Sequence, residues 1–138
     1  MEIGPAVEFI VGTTRGVLLT IKPDGRPHAS NVTYAVFDDA VHVSVTNSRV
    51  KTANLRRDSR VSLYVGVSDF WRWVVVEGDA ILSPVVARRD DGVAALLRRY
   101  YETAAGPHPD WDEFDAAMIE EQRLVVSFRP DAAYGQLG

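Results

Sequence analysis

Cysteine is absent from the 138-residue chain, and lysine nearly so. Without cysteine there is no disulfide framework, no thiolate nucleophile and no Cys-ligated zinc or iron–sulfur cluster, and a reducing compartment, the cytoplasm, is expected. Only Lys22 and Lys51 stand beside thirteen arginines, so each lysine merits inspection. No apolar run approaches the ~18 residues of a membrane span, and the start MEIGPAVEFIVG has no positively charged region ahead of its apolar stretch. No membrane association is expected. A basic excess is also missing: 15 Lys+Arg against 19 Asp+Glu leave a net charge of -4, which argues against a protein that grips nucleic acid with its whole surface.

Several motifs are missing too. There is no G-x-G-x-x-G and no G-K-[ST], which removes classical dinucleotide and ATP sites, and no G-x-S-x-G nucleophile elbow. The three histidines, His28, His42 and His108, fall in different predicted elements with none of the close spacing of metal motifs, so no metal site is expected.

What is present is an ordinary folding composition, 46% hydrophobic and 25% charged. Neither repeats nor linkers divide it, so residues 1–138 read as a single domain. Pro5 to Val11, closed by Gly12, predicts a short helix lying as a lid on the core. GVLLTIK, the turn PDGR and PHASNVTYAVF predict a hairpin. After Asp38-Asp39, AVHVSVT alternates, with Val41, Val43 and Val45 on one side and His42, Ser44 and Thr46 on the other. SRVKTANLRRD breaks the alternation as a short helix that Ser48 could cap, and RVSLYVGV resumes as a fourth strand. FWRWVVVEGDAILS predicts a longer fifth strand in which Gly78 marks a bulge or a close backbone contact.

Ser83-Pro84 is read as the start of a helix whose stripe is Val93, Leu96, Leu97, Tyr100 and Tyr101. AAGPHP ends it. Asp110 with Glu113 predicts the start of a second helix carrying Trp111, Phe114 and Met118 on one face, and RLVVSFRP predicts a sixth strand. Strands joined by tight turns are antiparallel. The expected fold is therefore mainly β (α+β): a six-stranded antiparallel barrel with helices packed against it.

Chemistry concentrates between Thr46 and Asp58. There a strand passes into a helix start that offers hydroxyls, free backbone N–H groups and the cations Arg49 and Lys51, a combination suited to phosphate. An isolated R-x-K is more often a solvated basic face. Support comes from Ser30, Asn31 and Thr33, polar groups in an otherwise apolar sheet, and from Trp71 and Trp73, read as aromatics on one face of the fifth strand, where core packing is the simpler role.

Taken in order, LLTIKPDGRPHASNV, SRVKTANLRRDSRVSL, WRWVVVEGDAIL, the Tyr-rich helix and PDWDEF resemble the actinobacterial branch of the pyridoxamine 5′-phosphate oxidase-like split-barrel flavin and deazaflavin reductases, over nearly the whole chain. The resemblance implies a homodimeric, six-stranded split β-barrel that binds FMN or coenzyme F420 in a groove between subunits. It implies Arg49 and Lys51 as phosphate ligands, helped by Ser48, Thr52 and Asn54. It places Thr20, Ile21, Ser30, Asn31 and Thr46 beside the ring system and ribityl chain, and Trp71 and Trp73 reaching in from the other subunit. Arg56, Arg57 and Arg72 are candidates for the glutamate tail of F420. The vitamin B6 oxidases of this family carry a C-terminal Arg-x-x-Trp and a downstream Arg-Leu-x-Pro, whereas this chain ends FRPDAAYGQLG. The implied function is hydride transfer between reduced F420 and a small unsaturated organic substrate. The alternatives are an FMN-dependent oxidase or reductase, and a non-catalytic flavin, deazaflavin or tetrapyrrole carrier.

Overall fold

A computed structural model describes residues 1–138. Thirteen elements follow in the order α1 (Ile3–Val11), β1 (Arg15–Ile21), β2 (Pro27–Thr33), β3 (Ala35–Phe37), β4 (Ala40–Thr46), α2 (Val50–Arg57), β5 (Arg60–Gly66), β6 (Trp73–Asp79), β7 (Ile81–Leu82), α3 (Gly92–Ala105), α4 (Trp111–Glu120), β8 (Arg123–Phe128) and β9 (Ala132–Gln136). They form a five-stranded sheet, β2-β1-β5-β6-β9, and a four-stranded sheet, β3-β4-β8-β7, antiparallel throughout. No helix is long and apolar enough to cross a membrane.

One core lies between the sheets. The predicted stripe Val41, Val43 and Val45 meets Leu124, Val126 and Phe128 on its own sheet and Leu18, Leu63, Val74 and Val76 on the other. Each such Val or Leu removed from water stabilises the fold by about 1.5–3 kcal/mol. The predicted lid holds: α1 buries Ala6 and Ile10 against this core, and the Tyr34 hydroxyl donates to the Ile10 carbonyl at 2.5 Å. The helices α3 and α4 cover the opposite face of the four-stranded sheet, where Val93, Leu97 and Phe114 pack on Val125.

The expected six strands become nine, for two reasons. PHASNVTYAVF and the WVVVEGDAIL run each cross from one sheet to the other, at Tyr34 and at Ala80, and both corner residues are buried in the core. Local alternation does not register such a crossing. The third addition, β9, is built from AAYGQ and pairs with β6 between Trp73↔Gln136 and Glu77↔Ala132. Gly78 does sit at a close backbone approach, since a Cβ there would stand 2.6 Å from the Arg129 carbonyl oxygen.

Helix α3 starts at Gly92 under an Asp91 cap, not at Ser83. Residues 83–86 are instead held along β8. Ser83 N–H donates to the Val125 carbonyl, Val125 N–H to the Ser83 hydroxyl, both at 2.9 Å, and Val86 N–H to the Arg123 carbonyl at 2.8 Å. The Asp110 cap is as expected, its carboxylate accepting Glu113 N–H at 3.1 Å. Ser48 makes no cap: Arg49 occupies the N-cap of α2, and its N–H donates to the Thr46 carbonyl at 3.1 Å.

Candidate functional site

Helix α2 is tied to the strands on both sides. The Thr52 hydroxyl donates to the Thr46 carbonyl at 2.7 Å, and Asn54 Nδ2 donates to Thr20 Oγ1 at 3.1 Å. Arg57 donates in turn to Asn54 Oδ1 at 3.2 Å and to the Ile21 carbonyl. Thr20, Thr52 and Asn54 are buried. Their polar groups are therefore satisfied inside the fold, and their observed work is to fix the helix rather than to meet a ligand.

With Thr52, Asn54 and Leu55 turned inward, Lys51 emerges beside the outer face of the four-stranded sheet. It lines a cavity of about 500 Å³ between that face, the β2 edge and the helices α3 and α4. Asn31, Ser44, Tyr100 and Arg123 share the lining. Lys51 is half-buried and forms no hydrogen bond or ion pair. Burial pushes its ammonium below the ordinary lysine value, and the charges of Arg49 and Arg123 push it in the same direction. Arg123 pairs with Glu121, whose Oε1 accepts from Arg123 Nε at 3.1 Å and Nη2 at 2.8 Å, and Glu113 lines the cavity farther along. Lys51 and Arg123 thus share the cavity, with the exposed Arg49 near enough for its charge to act on Lys51, a donor set suited to an oxyanion or phosphate. Tyr100 donates to the Thr33 carbonyl at 2.6 Å, and burial raises its hydroxyl pKa.

The remaining expected residues divide by strand alternation. Asn31 reaches this cavity, whereas Ser30 pairs with the buried Leu18 on the opposite side of β2. Thr20 and Ile21 border a separate depression with Glu77, Asp79 and Asp131. Thr46 supplies its carbonyl to α2, and Ser48 is exposed in the turn before it.

The tryptophans do not share a strand face. Trp71 is 69% exposed in the β5–β6 turn, edge-on to Phe70, because the turn at Ser68–Arg72 ends before β6 begins. Trp73 opens β6 beside Tyr64 and Tyr134 on the outer face of the five-stranded sheet. Neither belongs to the core or lines the Lys51 cavity. Arg56, Arg57 and Arg72 already have partners in the Asn47 carbonyl, the Ile21 carbonyl and Asp69.

Arg123, Ser44, Tyr100 and His108 were not expected at the site. Arg123 stands opposite Thr46 in the β4–β8 register, a pairing across 77 positions that no local pattern carries.

Comparison with known proteins agrees with this architecture. A conserved hypothetical protein from Mycobacterium tuberculosis is 28% identical, with a TM-score of 0.75 over 96% of this chain and 82% of its own. An F420 reductase is 23% identical, with a TM-score of 0.70 over 94% and 96% of the two chains. A heme storage protein from Vibrio cholerae shares the fold at 15% identity and a TM-score of 0.65, over 98% and 95%. The family pattern described as pyridoxamine 5′-phosphate oxidase matches residues 5–136. Matched over all but its ends, the chain belongs to the pyridoxamine 5′-phosphate oxidase family.

Proposed function

We propose that this protein is a homodimeric oxidoreductase that holds a phosphate-bearing deazaflavin, coenzyme F420, with FMN as the alternative, and moves hydride between it and a small unsaturated organic substrate. The observation that carries the reading is Lys51: a half-buried ammonium without a partner, flanked by Arg49 and Arg123. Clustered cations repel one another, and an incoming phosphate removes that repulsion. The bound cofactor supplies the hydride; the protein binds and orients it and limits what reaches it. Arg49, Lys51 and Arg123 hold the phosphate, and Asn31 and Ser44 offer neutral hydrogen bonds along the cavity. The F420 reductase with the same fold supports F420 as first choice.

The reading assigns a second copy of the chain to the outer face of the five-stranded sheet. Tyr64, Trp73 and Tyr134 lie there, with Phe70 and Trp71 exposed at the adjoining turn. The Tyr64, Trp73 and Tyr134 end of this face is an aromatic patch, of a kind normally covered in solution.

Titration of the cofactor-free protein with F420 and with FMN, followed by calorimetry or fluorescence, tests the proposal. Saturable F420 binding that inorganic phosphate weakens is expected; absence of binding by either cofactor overturns it. A carrier role, favoured by the heme storage protein of the same fold, predicts tight binding with no turnover of any acceptor.

A further inference from the structure

The Lys51 cavity has a second polar group at its other end. Helix α4 spans Trp111–Glu120, about 15 Å at 1.5 Å per residue. Arg123 follows its C-terminus, while His108 and Glu113 line the cavity from its N-terminal side. The two ends are therefore set apart along the helix.

His108 is held firmly. Its Nδ1 accepts Asp110 N–H at 3.0 Å, which places the proton of the neutral ring on Nε2. The ring is packed by Tyr101, Phe114 and Trp111, with centroids 5.2, 5.4 and 5.7 Å away. Nε2 has no partner in the protein. It is not sealed off either, because the only fully buried side-chain polar atom without a partner is His28 Nδ1. His108, a residue of the cavity wall, thus carries an oriented N–H donor that no protein group engages. Around it the wall is apolar, with Phe114 and Met118, and carries one carboxylate, Glu113, which repels an anion.

We propose that His108 Nε2–H is the substrate-recognition donor of this site and receives the carbonyl oxygen of an uncharged, planar ketone or enone, whose carbon skeleton lies against Tyr101, Phe114 and Met118. The inference rests on reading the cavity as the substrate-facing side of the cofactor site. Anionic groups are directed to Lys51 and Arg123, and neutral carbonyl compounds to His108.

The test compares α-tetralone, a bicyclic aryl ketone, with tetralin, the same skeleton without oxygen, by ligand-observed NMR on protein carrying no cofactor. A hydrogen bond of ordinary net strength favours the ketone by about tenfold. In His108→Phe that preference disappears, and in Lys51→Ala it persists. In the wild type the His108 ring resonances shift with α-tetralone and not with tetralin, a reading that stands even if the variant fails to fold. Equal binding of the two probes, binding of neither, unmoved His108 resonances, or a preference retained in a folded His108→Phe protein overturns the proposal. If F420 and FMN fail to bind while the ketone preference remains, the cofactor reading falls and the role of His108 stands.

Discussion

Asn54 and Thr20 are joined by a 3.1 Å side-chain hydrogen bond inside the protein, and this contact couples the helix bearing Lys51 to the first strand of the barrel. Both residues are nearly inaccessible, Thr20 1% and Asn54 2% exposed. Replacing Asn54 with Ala leaves Thr20 without its donor and frees Arg57 from one of its two partners. A loss of about 1–3 kcal/mol in denaturant unfolding is expected, with a weaker grip on phosphate because α2 is no longer fixed. An unfolding midpoint equal to wild type would show that the contact is dispensable.

Lys51→Ala has the opposite character. Lysine held below its ordinary pKa binds fewer protons in the folded than in the unfolded state between the lowered value and 10.5. Below that interval the charge opposes folding. Removing it should leave stability within roughly 0.5 kcal/mol or raise it slightly, while cofactor affinity falls on the order of tenfold to a hundredfold. Arg123→Gln should weaken binding in the same direction. Lys22→Ala, at the β1–β2 turn, supplies the control. Calorimetric titration with F420, FMN and inorganic phosphate reads all three; unchanged affinity in Lys51→Ala moves the anion site elsewhere.

His42 predicts a loss of stability on mild acidification. It is 7% exposed, accepts the Ser127 hydroxyl at Nδ1 (2.7 Å), donates from Nε2 to the Phe37 carbonyl (3.0 Å) and stacks on the Phe37 ring. Burial, opposed by the Phe37 carbonyl and Asp38, holds its pKa below the ordinary 6.5. The unfolded chain therefore takes up the proton first. Stability contributed by neutral His42 is complete above 6.5 and declines as pH falls through the interval down to the lowered value. Thermal unfolding between pH 7 and 5 should show this slope in the wild type and a shallower one in His42→Gln; parallel slopes would remove His42 from the account.

In the proposed dimer, Trp73 and Tyr134 are interface residues. Sedimentation at micromolar concentration should give a dimer for the wild type and a shift towards monomer for Trp73→Glu. A wild-type protein that sediments as a monomer refutes the dimer.

Local patterns in the chain carry the elements well where one side chain meets its neighbours in sequence. The Val41, Val43, Val45 alternation, the Asp110 cap and the α3 stripe need only period 2, period 3.6 and a carboxylate near a helix start. The run from Thr46 to Asp58 likewise shows, from residue types alone, where cations sit beside a helix start. Family membership is also legible in the order of the segments, and the match over residues 5–136 bears it out.

Tertiary structure decided everything that depends on distant partners. Tyr34 and Ala80 turn continuous β runs into strands of different sheets, because the core they enter is made by the other sheet. Ser83 is held extended by β8, far along the chain, and so does not begin a helix. Thr52 and Asn54 have the composition of ligands, yet buried polar groups must find partners, and theirs are Thr46 and Thr20. Arg123 joins Lys51 only through strand register, and His108 faces the same cavity only because α3 and α4 fold over the sheet. Residue type sets which bonds and charges are available; which of them meet is set by long-range packing, to which a local window of sequence is blind.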